Sequence, residues 1–301
     1  MSEWPLDFIT EDDFYTHVQN TIIAQYGKNL APYDVKKFNS NLIDPIKMVF
    51  DKALYGEDWE TLIAAEIFRQ RDKAGNNDVG YFHQKMFQYI KRCHVPPNGK
   101  EGGWDVIFTP EHPYRIDDNN RADVIYVEMK NKHNTMNSSG GSDTYIKMQD
   151  QLLRNSQCCC FLVEAIARRH QNIVWKTTIN SSGRKVRVEH ARIRRVSIDE
   201  FYSIVTGEEN AFFQICMILP SVVEHVLGES EKVSAPHDTV IEQLKKEAEK
   251  YSDAGEMSMY LAMYMLGFSS YNGFRDYKQF SSSERYARYI EEILDMQSKK
   301  R

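Results

Sequence analysis

The run CCCFLVEA, from Cys158 to Ala165, constrains this chain more than any other segment. It is apolar at nearly every position and does not alternate, so it has no wet face. A short run of this kind reads as a central strand covered on both sides. Such a strand requires helices above and below a sheet, and the segments around it supply them. Glu11 to about Tyr26 places Phe14, Val18, Ile22 and Ile23 on one helical face, and Asp58 to Arg71 does the same with Trp59, Leu62, Ile63 and Ile67. Asp58 suits the N-cap of that second helix. Asp78 to Lys91 reads as a third helix carrying Phe82, Met86, Phe87 and Ile90, with the turn formers DKAGNND as a loop before it.

After Pro96-Pro97 the texture changes to strands: Trp104 to Phe108 (WDVIF), then Ala122 to Lys130 (ADVIYVEMK). A polar loop and a helix from about Ser142 to Arg154 lead to the apolar strand. Lys185 to Val196 suits an outer strand or hairpin arm turning at Ser181-Ser182-Gly183. Ser197 is placed to cap a helix, and a linker-like stretch from Glu229 to Pro236 precedes a last helical portion, 237–301. The expected fold is α/β, a mixed β-sheet flanked by helices with a helical C-terminal extension. The domain boundary is expected between 1–231 and 232–301.

The chemistry is expected at the strand ends. Side chains alternate across a strand, so Glu128 and Lys130 share one face and Met129 takes the other. A carboxylate and a lysine side by side can hold a divalent cation and position a water, which is what phosphodiester hydrolysis requires. The cation needs a second acid. Asp123, five residues before Glu128, falls on the opposite face, whereas Asp105 on the preceding strand comes beside Glu128 if the two strands are antiparallel. Parity selects Asp105. Two other acid-x-Lys triplets, Asp34-Val-Lys36 and Asp276-Tyr-Lys278, lie on no such strand.

Net charge is −5, but nine basic residues and one acid fall between Ala165 and Arg195, while Asp199 to Glu231 holds seven acids and no Lys or Arg. A one-sided polyanion surface and a solvated strand pair both fit that pattern. The acidic start MSEWPLDFITEDDF is unlike a signal peptide, and no run is expected to reach the ~18 apolar residues of a membrane span. Five cysteines with no CxxC pair suggest a reducing cytoplasm; His83 and His133 lack partners at zinc spacing. The triple cysteine reads as core packing, and the C-terminal stripe of Met257, Met259, Met263 and Met265 as core or subunit packing. No GxxxxGK[ST] loop is present, so no nucleotide cofactor is expected.

GGWDVIF followed by ADVIYVEMKNKHNTMNSS resembles the P-D…(D/E)-x-K core of type II restriction endonucleases, and more narrowly the group that cuts at GGNCC. The likeness extends over roughly 38–214; Trp104 stands where the pattern has proline. The resemblance implies a Mg²⁺-dependent endonuclease acting on double-stranded DNA, with Asp105 and Glu128 as metal-binding acids and Lys130 beside the attacking water. It also implies an auxiliary polar residue on an earlier helix, for which Gln84 and Glu66 are candidates. Glu66 flanks an apolar stripe and is expected to reach solvent. Cutting both strands of a palindrome calls for a homodimer.

Expected DNA contacts are Lys132, His133, Asn134 and Asn137 after the active strand, Arg69, Arg71 and Lys73 before the NND turn, and Arg192, Arg194 and Arg195 in the basic segment. A structure-specific repair nuclease of the same fold and a non-catalytic DNA-binding module are the alternatives.

Overall fold

A computed structural model describes residues 4–27, 31–181, 184–229, 236–268, 278–279 and 282–299. Ser182, Gly183, the linker residues 230–235 and Asp276 lie outside them. The chain divides into two compact units, 1–29 with 74–233, and 30–73 with 234–301.

The first unit holds a six-stranded sheet. Its strands are β1 (Cys93–His94), β2 (Val106–Phe108), β5 (Val124–Lys132), β6 (Cys158–Ile166), β7 (Asn172–Val174) and β10 (Ile193–Ser197). They lie in the order β1-β2-β5-β6-β10-β7. Two short pairs stand apart: β3 (Tyr114–Arg115) with β4 (Arg121–Ala122), and β8 (Thr177–Ser181) with β9 (Arg184–Val188). The sheet is mixed, as expected: β2 is antiparallel to β5, β5 and β10 run parallel to β6, and β7 is antiparallel to β10. The run expected over Lys185 to Val196 is therefore two strands: β9 pairs with β8, while β10 enters the main sheet.

Helix α1 spans Glu11–Gln19 and continues as a π-turn over Asn20–Tyr26. Helix α2 is Trp59–Met86, α3 is Ser138–Arg154, α4 is Ile198–Thr206 and α5 is Ala211–Glu229. The central strand β6 is buried from Cys158 through Glu164. Its two faces feed two cores, because alternate residues point opposite ways. Cys159, Phe161 and Val163 join Phe14, Phe87, Ile125, Val127 and Phe201 on one side. Cys160 and Leu162 join Trp104, Tyr145, Met148 and Ile193 on the other. Each large side chain fully buried here contributes roughly 1.5–3 kcal/mol.

Three expectations are corrected. DKAGNND is not a loop: α2 runs through it without a break. Its Gly and Asn residues cost roughly 0.5–1 kcal/mol each in helix propensity, and burial of Ile63 and Ile67 before them and of Met86 after them outweighs that. Ser197 occupies the N-cap position of α4 without capping it, since its hydroxyl accepts the Gln171 N–H at 3.1 Å instead. Finally, Ala211–Gly228 within α5 is long and apolar enough, by length and composition alone, to cross a membrane. In this fold Ala211, Ile215, Val222 and Val226 of that helix pack into the first core.

The second unit is helical and has its own core. Tyr33, Phe38, Met48, Ile63 and Ile67 pack with Val240, Leu244, Met259 and Met263. The Arg71 guanidinium binds Asp238 at 2.6 Å and lies 4.8 Å from the Tyr33 ring centroid.

Candidate active site

The antiparallel register Val106↔Val127 sets Asp105 opposite Glu128. The Asp105 N–H donates to the Val127 carbonyl at 2.9 Å, and its Oδ2 accepts the Met129 N–H at 2.6 Å. Asp105 is thereby tied to both sides of Glu128. Asp123 is at the other end of β5, where its N–H donates to the Gln157 carbonyl and its side chain is exposed. The separation of the two acids along the strand is about 17 Å at ~3.3 Å per residue.

Glu128 accepts two ammonium groups. Lys130 Nζ binds its Oε1 at 2.7 Å, and Lys147 Nζ binds its Oε2 at 2.8 Å. Lys147 escaped the sequence reading. It lies on α3 away from the buried Tyr145–Met148 stripe, so helical periodicity gives no sign of it. Three contacts hold it: Glu128, the Gly103 carbonyl at 2.7 Å, and the Trp104 ring at 4.2 Å from the centroid. Gly102 and Gly103 both have left-handed φ, +76° and +69°, which a side chain would strain. That turn carries the Gly103 carbonyl which Lys147 meets. A tryptophan at the position of the motif's proline thus has a use: its ring is part of the lysine's seat.

The two carboxyls differ electrostatically. Burial pushes Asp105 up, the neighbouring Glu128 adds to it, and against the Met129 N–H and the lysines it ends at about 6. Burial also works to raise Glu128, but hydrogen bonds from Lys130 and Lys147 outweigh it and hold that group below the usual carboxylate range. Two acids that disfavour each other's charge, both offering hard oxygen donors, are suited to a divalent cation.

A cleft of about 450 Å³ opens beside Asp105 and Lys130. Its α2 wall includes Asn76, Asn77, Tyr81, His83 and Gln84, and Asn131 adds another amide. Gln84 Nε2 donates to the Asp105 carbonyl at 3.3 Å. Of the two auxiliary candidates, only Gln84 lines this cleft. Glu66 is buried, contrary to the expectation that it reaches solvent, because Arg69 and Gln70 of the second unit neutralise and hydrogen-bond its carboxylate.

The chain from residue 6 to 228 matches the model of the Eco47II restriction endonuclease family. The protein belongs to that family. Among curated relatives, the type II restriction enzyme Sau96I of Staphylococcus aureus is 32% identical over 223 residues, covering 73% of this chain and 80% of the relative. The type II restriction enzyme Eco47II of Escherichia coli is 26% identical over 232 residues, covering 74% and 89%. The stretch that matches the Eco47II restriction endonuclease model contains Asp105, Glu128, Lys130 and Lys147.

The expected DNA contacts are less uniform. Lys132, the last residue of β5, and His133 and Asn134 just beyond it are exposed. Asn137 is spent as the N-cap of α3, its Oδ1 accepting the Gly140 N–H at 2.8 Å. Arg69 binds Glu66 and Arg71 binds Asp238, both within the second unit, while Lys73 is exposed. The three arginines of the basic segment have internal partners. Arg192 donates to the Arg121 and Cys158 carbonyls, Arg194 to Asn172, and Arg195 to the fully buried Glu164. The triple cysteine is buried, as its apolar setting implied.

Proposed function

We propose that this protein is a Mg²⁺-dependent type II restriction endonuclease that hydrolyses both strands of a short G/C-rich palindrome of the GGNCC kind as a homodimer in the cytoplasm. The observation that carries the reading is the meeting of Asp105, Glu128 and Lys130 at one end of the adjacent strands β2 and β5 in a chain of the Eco47II restriction endonuclease family. Asp105 and Glu128 would hold the cation, with remaining positions left to water and phosphate oxygens. When bound, the ion would offset charge on the scissile phosphate and lower the pKa of its water.

The protein's own groups have separate tasks. Lys130 orients the attacking water, and its positive charge favours the hydroxide character that develops on that water as its proton leaves to solvent. Lys147 fixes the Glu128 carboxylate from the side of Gly103 and Trp104, so that Glu128 keeps one orientation whether or not Lys130 moves. Gln84 steadies the backbone at Asp105. Lys132, His133 and Asn134 leave the active strand at the point where a groove-reading loop is useful. The chemistry is assigned to the domain over 1–231, of which 30–73 shares a core with the helical extension 232–301.

A plasmid digest with Mg²⁺, followed by sequencing of the ends, tests this. Discrete fragments sharing one G/C-rich palindrome are expected, and chelation with EDTA should stop the reaction. Scattered ends, nicking that follows DNA structure, or no cleavage would each overturn the reading.

A further inference from the structure

Two strands away from Lys130, the same face of the sheet carries a second basic site at the same end of its parallel strands. β5, β6 and β10 are parallel neighbours, with Lys130↔Glu164 and Glu164↔Ser197 in register. Arg195, two residues before Ser197, points to the Glu164 face. Its Nε and Nη2 bind Glu164 Oε1 at 2.9 and 2.5 Å, and Nη2 also reaches the His133 carbonyl at 3.1 Å. Glu164 is wholly buried, and its Oε2 has no hydrogen-bond partner among the described residues. Arg195 is therefore fixed in place by a carboxylate it cannot leave.

Around it opens a pocket of about 620 Å³ lined by His133, Arg168, Arg169, Gln171, Ile173 and Arg195. No carboxylate lines it. Arg168 has no hydrogen bond or ion pair among the described residues, and Arg169 makes only a long hydrogen bond, 3.4 Å, to Gln171. Of the acids near by, Glu164 is held by Arg195, and Asp199 and Glu200 by His170, while Glu209 lines the adjoining pocket with Arg169 without an ion pair to it among the described residues. Two uncompensated guanidinium groups thus stand beside a third that is held rigid. Bidentate guanidinium geometry suits a phosphodiester.

We propose that this pocket binds a backbone phosphate of the strand being cut, one or two nucleotides from the scissile one, with Arg168 and Arg169 as its charge-bearing ligands and Arg195 as a fixed wall. The spacing supports it. Strands lie ~4.8 Å apart, so Arg195 is about 10 Å from Lys130, and successive phosphates of one DNA strand, which rise ~3.4 Å along the axis while turning about it, are roughly 6–7 Å apart through space. The proposal rests on the endonuclease reading above, and the test separates the two.

Binding of a labelled GGNCC duplex is measured by anisotropy in Ca²⁺, across a range of salt, for the wild type and for Arg168→Gln/Arg169→Gln. Both arginines are exposed on the turn after β6, and Arg168→Gln alone serves if the double variant melts early. The slope of log K against log salt should become shallower by about 0.9 for each phosphate that is no longer neutralised. Duplexes with one neutral methylphosphonate at each of the four positions beside the scissile phosphate locate the phosphate bound. One position should weaken the wild type and cost the variant nothing more. A wild type that fails to bind duplex DNA would overturn the endonuclease reading itself. A wild type that binds, with an unchanged slope in the variant or an equal methylphosphonate penalty in both proteins, would overturn the phosphate pocket alone.

Discussion

Arg195→Ala distinguishes a structural arginine from a DNA-binding one. Read from charge alone, Arg195 is a phosphate contact, and its removal should weaken DNA binding in an intact fold. In the structure its partner Glu164 is 0% exposed, and Arg195 is the only side chain bonded to that carboxylate among the described residues. Truncation leaves an uncompensated charge in the sheet, which costs about 3–5 kcal/mol when one partner of a buried pair is removed. The net worth of the intact pair is smaller, because desolvation offsets much of the attraction. Glu164→Gln in the Arg195→Ala background should therefore recover part of the loss. Urea unfolding followed by circular dichroism measures it. With a slope near ~3 kcal/mol per M, the midpoint should fall by roughly 1–2 M and rise again in the double variant. Stability within about 1 kcal/mol of wild type, together with weakened DNA binding, would refute the argument.

Asp105→Asn and Glu128→Gln should each abolish cleavage while leaving duplex binding in Ca²⁺ within a few fold, since neither removes a positive charge; cleavage by Asp105→Asn at the wild-type rate would return the role to Asp123. Lys147→Met should lower kcat more than KM and shift the emission of Trp104, whose ring loses its ammonium neighbour, with Lys147→Arg recovering part of the rate. An unchanged kcat in Lys147→Met would reduce the lysine to packing. Burial pulls both His17 and His83 down to about 4. The unfolded chain then binds protons more readily than the native one below the ordinary value of ~6.5. Stability is full above that pH and falls as pH drops toward 4, by up to ~1.4 kcal/mol per pH unit for each histidine. Asp105, raised to about 6, acts in the opposite sense, losing stability as pH rises from its ordinary range through 6. His17→Gln should flatten the acid slope of the metal-free protein by about one proton; equal slopes would contradict the shift.

Features that depend on local pattern are legible in the chain before it folds. The unbroken apolar run at Cys158 required a doubly covered strand, and β6 is that strand. Period-two alternation put Glu128 and Lys130 on one face, and their side chains bond each other. Whatever depends on partners distant in the chain emerges only on packing. DKAGNND reads as a loop by propensity, yet it is helical because buried residues on either side outweigh the local cost. Arginines 192, 194 and 195 look alike along the chain. Each is given a different internal partner only when β10 enters the sheet between β6 and β7. Lys147 could not be read from its helix, because its position follows from a carbonyl, a ring and a carboxylate contributed by two other segments. Periodicity records which way a side chain points; only the packed sheet determines what it meets there.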